Sequence, residues 1–162
     1  MSQRTITVGI VSTNSLEVKA IKNAFKSSQH LFSNSQLHCI LVKTFHRFSK
    51  KYSKVINIGQ IVTNSQDKIK ITLEELSVTT NIFDVMVFVE CGIDVSIKKP
   101  MKNTCISLYF PATGRKVNGF GKSSKHSIIN SLMAKFGFDL SVQSELSQLI
   151  REAHSQGFFN FQ

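Results

Sequence analysis

Three consecutive polar residues, Ser12-Thr13-Asn14, separate a short apolar run from the start of a helical pattern, and two hydroxyls and an amide at such a junction are equipped to hold an anion. In α/β proteins the loop between an inner strand and a helix N-terminus collects phosphates, because unpaired backbone N–H groups and the positive end of the helix dipole converge there. Glu90 is the second residue with chemical promise. It closes the apolar run 85–89 and precedes Cys91-Gly92, so a glycine turn is expected to bring its carboxylate out at the rim of a sheet, where it would hold a metal or serve catalysis. Both features also have plainer readings, an ordinary strand–helix unit without a ligand and a solvated acid at a strand end.

The elements that must carry these groups follow from periodicity. Ile6, Val8, Ile10 and Val11 form a β-type run, after which Leu16, Ala20, Ile21, Ala24 and Phe25 make one stripe of a helix and leave Lys19, Lys22 and Lys26 toward water. Asn14 is the expected N-cap, with Glu17 at the third helical position reaching back to it as in a capping box. Residues 27–36 read as a loop and 38–43 as a second, inner strand. A short strand is expected at 55–58 before Gly59, then a helix from Asn64 or Ser65 that buries Ile69, Leu73 and Leu76. Residues 83–94 carry the strongest strand pattern, and 104–110 predict a strand that pairs back on it and ends at Pro111 and Gly114. The stretch Gly119-Phe120-Gly121-Lys122-Ser123-Ser124-Lys125 lacks the GxxxxGK[ST] spacing and no inner strand leads into it, so it is not a Walker loop. Helices are expected at 127–136 and 144–154, stopped by Gly157, with Phe158, Phe159 and Phe161 as an apolar tail.

A chain of 162 residues is the size of one domain. Its three cysteines, Cys39, Cys91 and Cys105, have no CxxC spacing, which disfavours a disulfide framework or zinc ribbon and suits a reducing, cytoplasmic setting. No apolar stretch is long enough for a bilayer and no secretion signal is evident, so a soluble protein with no membrane partner is expected. The five histidines are dispersed and suggest no metal or nucleophile arrangement. Charge is more telling. The net charge is +10, and within residues 1–54 nine Lys and Arg face a single acid, Glu17. Lys43, Arg47, Lys50, Lys51 and Lys54 interleave with Phe45, Phe48 and Tyr52, and Arg115, Lys116 and Lys122 belong to a second basic segment. Such a mixture suits phosphates and stacked bases, making nucleic acid, nucleotides or an acidic protein candidate partners. Aromatics packed beneath a long connection and lysines kept for solubility account for the same residues.

Taken in order, the Ser12-Thr13-Asn14 loop with Ala20 and Ala24-Phe25, the strand 83–89 running into Glu90-Cys91-Gly92-Ile93, and the stretches 119–132 and 137–157 together resemble the inosine/xanthosine triphosphatase family, over most of the chain. The resemblance implies an α/β fold, a twisted mixed sheet flanked by helices, and hydrolysis of abnormal purine nucleoside triphosphates with Mg²⁺. It would place Ser12, Thr13 and Asn14 on the phosphates and Glu90 on the metal. The chain departs from the family in three respects. Glu17 stands where the family has a phosphate-binding lysine, for which Lys19 is the nearest substitute. The family's acidic pair falls near Thr63 and Asn64, with Asp67 as a shifted replacement. The chain also stops soon after Gly157, where the family continues through a further strand and helix. The expectation is therefore a divergent domain that binds a nucleoside triphosphate or other polyanion, with Mg²⁺-dependent hydrolysis weak or lost. The alternative is a basic structural protein that docks on nucleic acid or a large assembly, and a homodimer is a further option.

Overall fold

The structure is a computed structural model that describes residues 4–44, 58–94, 101–124 and 140–161. The first strand, β1 (Arg4–Val11), buries Ile6, Val8 and Ile10 on one face, while Gly9 and Val11 are buried on the other. A strand dry on both faces belongs inside a sheet. β1 accordingly pairs in parallel with β2 (Ser35–Leu41) on one side and with β3 (Val85–Asp94) on the other. β3 then pairs antiparallel with β4 (Met101–Phe110), and β4 antiparallel with β5 (Arg115–Ser124), giving a mixed sheet in the order β2-β1-β3-β4-β5. The α/β expectation holds.

Helix α1 (Ser15–Ser27) and helix α3 (Leu140–Ser155) cover one face, where Ile21 and Phe25 meet Ile10, Leu146 and Ile150 in the larger core. Helix α2 (Ile58–Leu76) covers the other, setting Ile69 against Val11, Met86 and Phe88, and Ile61 against Cys105. Because β2 and β3 flank β1, and the helices that lead to them lie on opposite faces, the connections diverge around the carboxyl end of β1. That is a topological switch point, where open α/β sheets form a crevice. Asp84 secures the β1–β3 side: its carboxylate accepts the Thr7 N–H at 2.8 Å and faces the Arg4 guanidinium at 3.4 Å.

The ladder between β1 and β3 ends at Val11↔Phe88, but β3 stays paired with β4 as far as Asp94↔Met101. At about 3.3 Å per residue, β3, β4 and β5 thus run on for roughly 20 Å as a three-stranded wing beside the end of β1.

Several boundaries differ from the sequence reading. β2 begins at Ser35, after a 3₁₀ turn at Gln29–Phe32, and is an edge strand rather than an inner one. Its apolar run is explained by partial cover on both faces, Cys39 packing toward the α1 side and Ile40 toward the α2 side. α2 starts at Ile58, so Gly59 lies in its first turn instead of ending a strand. A glycine there gives up less than in a helix interior, where it costs about 1 kcal/mol. Residues 115–124 form β5, a strand the sequence pattern does not reveal. Its glycines face α3, and a Cβ added at Gly121 would stand 2.6 Å from Glu145 Cγ. Gly114 and Gly157 turn the chain at φ +71° and +80°, at the positions expected. Of the short strand expected at 55–58, Ile58 opens α2 and the rest lies outside the described residues, as do the basic aromatic segment from Phe45 to Lys54 and the helix at 127–136.

Gly9 is the tightest point of the central strand, since a Cβ there would sit 2.8 Å from Phe83 Cδ1. Gly9→Ala is expected to cost about 1–3 kcal/mol through overpacking, read as a lower denaturant midpoint with an unchanged far-ultraviolet circular dichroism spectrum.

Candidate functional site

Asn14 is extended at φ −90°, and its Oδ1 accepts the N–H groups of Leu16 at 2.9 Å and Glu17 at 3.3 Å, which makes it the predicted cap of α1. The return half of the capping box runs through a relay. The Asn14 N–H donates to Ser12 Oγ at 3.1 Å, and the Ser12 hydroxyl donates to Glu17 Oε1 at 3.0 Å. Ser12 is buried in this chain of bonds. The Glu17 carboxylate is thereby held in the first turn of α1, where the helix dipole favours an anion.

Beside the loop, between the first turns of α1 and the end of β2, an open groove of about 380 Å³ is lined by Ser12, Thr13, Ser15, Val18, Lys19, Lys22 and Leu41. Lys19 and Lys22 are exposed and make no ion pair among the described residues. Two like charges three positions apart on a helix repel by a few tenths of a kcal/mol, roughly 0.2–0.5, and an anion between them relieves that cost. Lys19 therefore does share a groove with Thr13. Lys22 is a groove residue the sequence reading left as solvated surface, although its spacing from Lys19 is the signal that would have paired them.

Glu90 lies within β3 and not beside a turn. It is paired with Cys105, and Gly92 continues the ladder opposite Asn103. The glycine is followed by further pairing with β4, so the carboxylate emerges from the sheet face under α2 rather than from its rim. Glu90 lies two residues beyond Phe88, the last β3 residue paired with β1, and so at the same end of the sheet as the loop that follows β1. It is half-buried, and burial raises its carboxyl above the usual carboxylate range, with the nearby Lys68 ammonium opposing the shift. Lys68 Nζ also donates to the Val89 carbonyl at 3.1 Å. This lysine was not among the predicted site residues, because its partner on another element becomes visible only once the α2–β3 register is known. Cys105, next to Glu90 across the ladder, has its thiol pushed up by burial, against hydrogen bonds from Ser65 and Ser107.

Asp67 does not join this group. At about 100° per residue, it lies roughly 150° around α2 from the buried side formed by Ile61, Ser65, Ile69 and Thr72, and it is exposed. Thr63 and Asn64 are exposed on the same helix. The structure thus brings Ser12, Thr13, Asn14 and Lys19 together, leaves Glu90 outside the lining of their groove, and sends Asp67 to solvent. The Mg²⁺ expected from the family resemblance does not suit the donors present. Mg²⁺ asks for several oxygen ligands in near-octahedral array, whereas Glu90 faces an ammonium. Among the described residues no three His, Cys, Asp or Glu side chains come together.

The basic candidates separate as well. Lys43 is exposed just beyond β2, at one edge of the sheet, while Arg115, Lys116 and Lys122 belong to β5 at the other, about 19 Å away at ~4.8 Å per strand. Arg115 stacks on Phe158, its guanidinium 3.9 Å from the ring centre. Arg47, Lys50, Lys51 and Lys54 lie outside the described residues.

The chain matches no known protein family's sequence signature and no curated protein. Among solved structures it is similar to protein VC0702 from Vibrio cholerae, with a TM-score of 0.52 and 10% identity, covering 98% of this chain and 83% of that one. At that identity the likeness shows a shared α/β fold and nothing about chemistry. No helix among the described residues is long and apolar enough to cross a membrane.

Glu90 sets a pH dependence whose sign follows from its raised folded-state pKa. The folded protein holds that proton more tightly than the unfolded chain, so the carboxyl supports folding at low pH. This support is lost as pH rises from the ordinary glutamate value through the raised one. Glu90→Gln is expected to flatten stability across that interval and to raise it at neutral pH relative to the parent, measured by denaturant unfolding at a series of pH values.

Proposed function

We propose that this chain is a divergent inosine/xanthosine triphosphatase-like domain that binds a nucleoside phosphate without efficiently hydrolysing it. The observation that carries the reading is the groove at the switch point, where Thr13, Ser15, Lys19 and Lys22 line one open recess beside the N-terminus of α1. Hydroxyls and ammonium groups on one side, with Val18 and Leu41 as an apolar floor, suit a phosphate attached to a flat or apolar body. Leu41 is 46% exposed, which supports contact with a ligand.

The same geometry argues against turnover. Hydrolysis needs a positioned base and compensation of the charge that develops on phosphoryl oxygens. Glu90 is turned to the α2 face and neighbours Lys68, Asp67 points to water, and Glu17 brings a negative charge to the loop where a phosphate would bind. The cations left to the site, Lys19 and Lys22, hold an anion but activate no water. A nucleic-acid interface is less well supported, since Lys43 lies at one sheet edge and Arg115, Lys116 and Lys122 at the other, and Arg115 is engaged with Phe158.

Incubation with inosine triphosphate (ITP), xanthosine triphosphate or ATP and Mg²⁺ is expected to release no phosphate or pyrophosphate above background. Fluorescent nucleotide should still bind, and Lys19→Ala with Lys22→Ala should weaken it by about tenfold or more, the order expected for losing two partly exposed charge contacts. Turnover abolished by Glu90→Ala would overturn the non-catalytic reading, and binding indifferent to both lysines would overturn the groove.

A further inference from the structure

We infer that the outer edge of β2 docks an acidic, extended segment of another protein, which joins the sheet as a further strand. The edge needs no nucleotide in the groove, so this stands or falls apart from the binding role proposed above.

The first argument is what the edge leaves unpaired. A strand residue turns its N–H and C=O to the same side, and the side alternates along the chain. The Val42 N–H donates to the Ile10 carbonyl at 2.8 Å, so Gln36, His38 and Ile40 also face β1 and the residues between them face outward. The Ser35 carbonyl is taken by Gln29 Nε2 at 2.8 Å. That leaves the outward N–H and C=O groups of Leu37, Cys39 and Leu41, which find no partner among the described residues. Such a row is a template for another strand, and proteins ordinarily blunt it with lysine, proline or a bulge. The opposite edge, β5, carries Arg115, Lys116 and Lys122. β2 has none of these devices. Ser35–Leu41 contains no lysine, arginine, proline or glycine, and it pairs with β1 in unbroken register over roughly 23 Å.

The second argument is the charge and the apolar surface around that edge. Burial pushes the Cys39 thiol up, and the Lys22 ammonium opposes the rise, which sets that charge beside the middle of β2. Lys43 is exposed just past the strand, and residues 18–66 contain no Asp or Glu. A second copy on the same edge would bring its own Lys22 and Lys43, and like charges oppose pairing between facing strands. An acidic segment gains where a copy loses. Cys39 and Ile40 are half-buried on opposite faces and Leu41 is exposed, so a neighbouring strand has apolar side chains to pack against on both faces. In this mode of recognition backbone bonds supply the affinity and alternate side chains the choice of partner.

Fluorescence anisotropy on the full chain tests this with a labelled peptide of alternating Glu and Val, long enough to span β2, against one of alternating Lys and Val. The Glu–Val peptide is expected to bind at least about tenfold more tightly at low salt, with the gap narrowing as salt screens the lysines. Only one edge of the peptide can face β2. N-methylation of one alternate set, all Glu or all Val, should therefore weaken binding about tenfold and methylation of the other set by no more than about threefold, as expected from losing a few backbone hydrogen bonds. Cys39→Pro removes an outward N–H and no bond to β1, a position at which edge strands admit proline. It should cost about tenfold with an unchanged far-ultraviolet circular dichroism spectrum. The methylated peptides are read on the parent chain, so they decide the matter even if that variant does not fold. Failure of the Glu–Val peptide to bind, equal binding of the Lys–Val peptide, or equal binding of both methylated forms would overturn the proposal. So would a dimer of the free protein in sedimentation that Cys39→Pro dissociates, because the edge would then belong to a second copy.

Discussion

Everything in this fold is arranged around one strand that has no wet side. β1 is hydrogen-bonded on both edges and covered on both faces, and it is so closely packed that only a glycine fits beneath the Phe83 ring at position 9. With no freedom to slide, its carboxyl end is a fixed point. The loop that leaves it must start the helix that covers one face, while the chain returning through α2 must cover the other. The crevice is a product of that constraint rather than of any residue placed there for chemistry. What the residues decide is the electrical character of the crevice, and here two opposing choices meet. Lysines project from the outer turns of α1, and a lone carboxylate is tied into its first turn through Ser12.

That carboxylate steadies the helix and brings a negative charge to the loop in the same act. A negative side chain in a first turn interacts favourably with the dipole, by about 0.3–1 kcal/mol for an exposed group, and the relay through Ser12 gives the strand-to-helix turn a defined shape. The outcome is a loop already satisfied by its own chain. A similar trade appears at Glu90, whose neighbour is an ammonium where a hydrolase would need a metal. In both places a charge is answered from within the protein.

The first strand, the loop and α1 were legible because the hydrophobic period changes from two to nearly four across a polar break, and because Asn14 is a strong cap. The pairing of β3 with β4 was legible from the long apolar run of β3, and the end of β4 from Pro111 and Gly114. β5 was hidden, since its helix-facing positions are glycines chosen by the nearness of Leu149 and Glu145, a tertiary demand that leaves no alternating pattern behind. α2 was started too late because Gly59 looks like punctuation when read without its helical neighbours. In the site, Thr13 could be found from its place in the strand–helix loop and Lys19 only through the family resemblance, while the Lys68–Glu90 neighbourhood depends on how a helix sits on a sheet and no local rule reports it. Asp67 failed for the complementary reason: proximity in sequence to a needed acid says nothing about which way a helix turns it.

The wing formed by the outer halves of β3, β4 and β5 has a mechanical side. Beyond Phe88 it shares no ladder bond with β1, and its own antiparallel bonds close within the three strands. Its placement beside β1 is therefore set by side-chain packing from the helices, with Ile61 of α2 on Cys105 and Glu145 and Leu149 of α3 over Gly121 and Gly119, and not by ladder bonds to the central strand. The two halves of the sheet are thus anchored in different ways: strand pairing fixes β2 to β1, while helix packing fixes the outer ends of β3, β4 and β5.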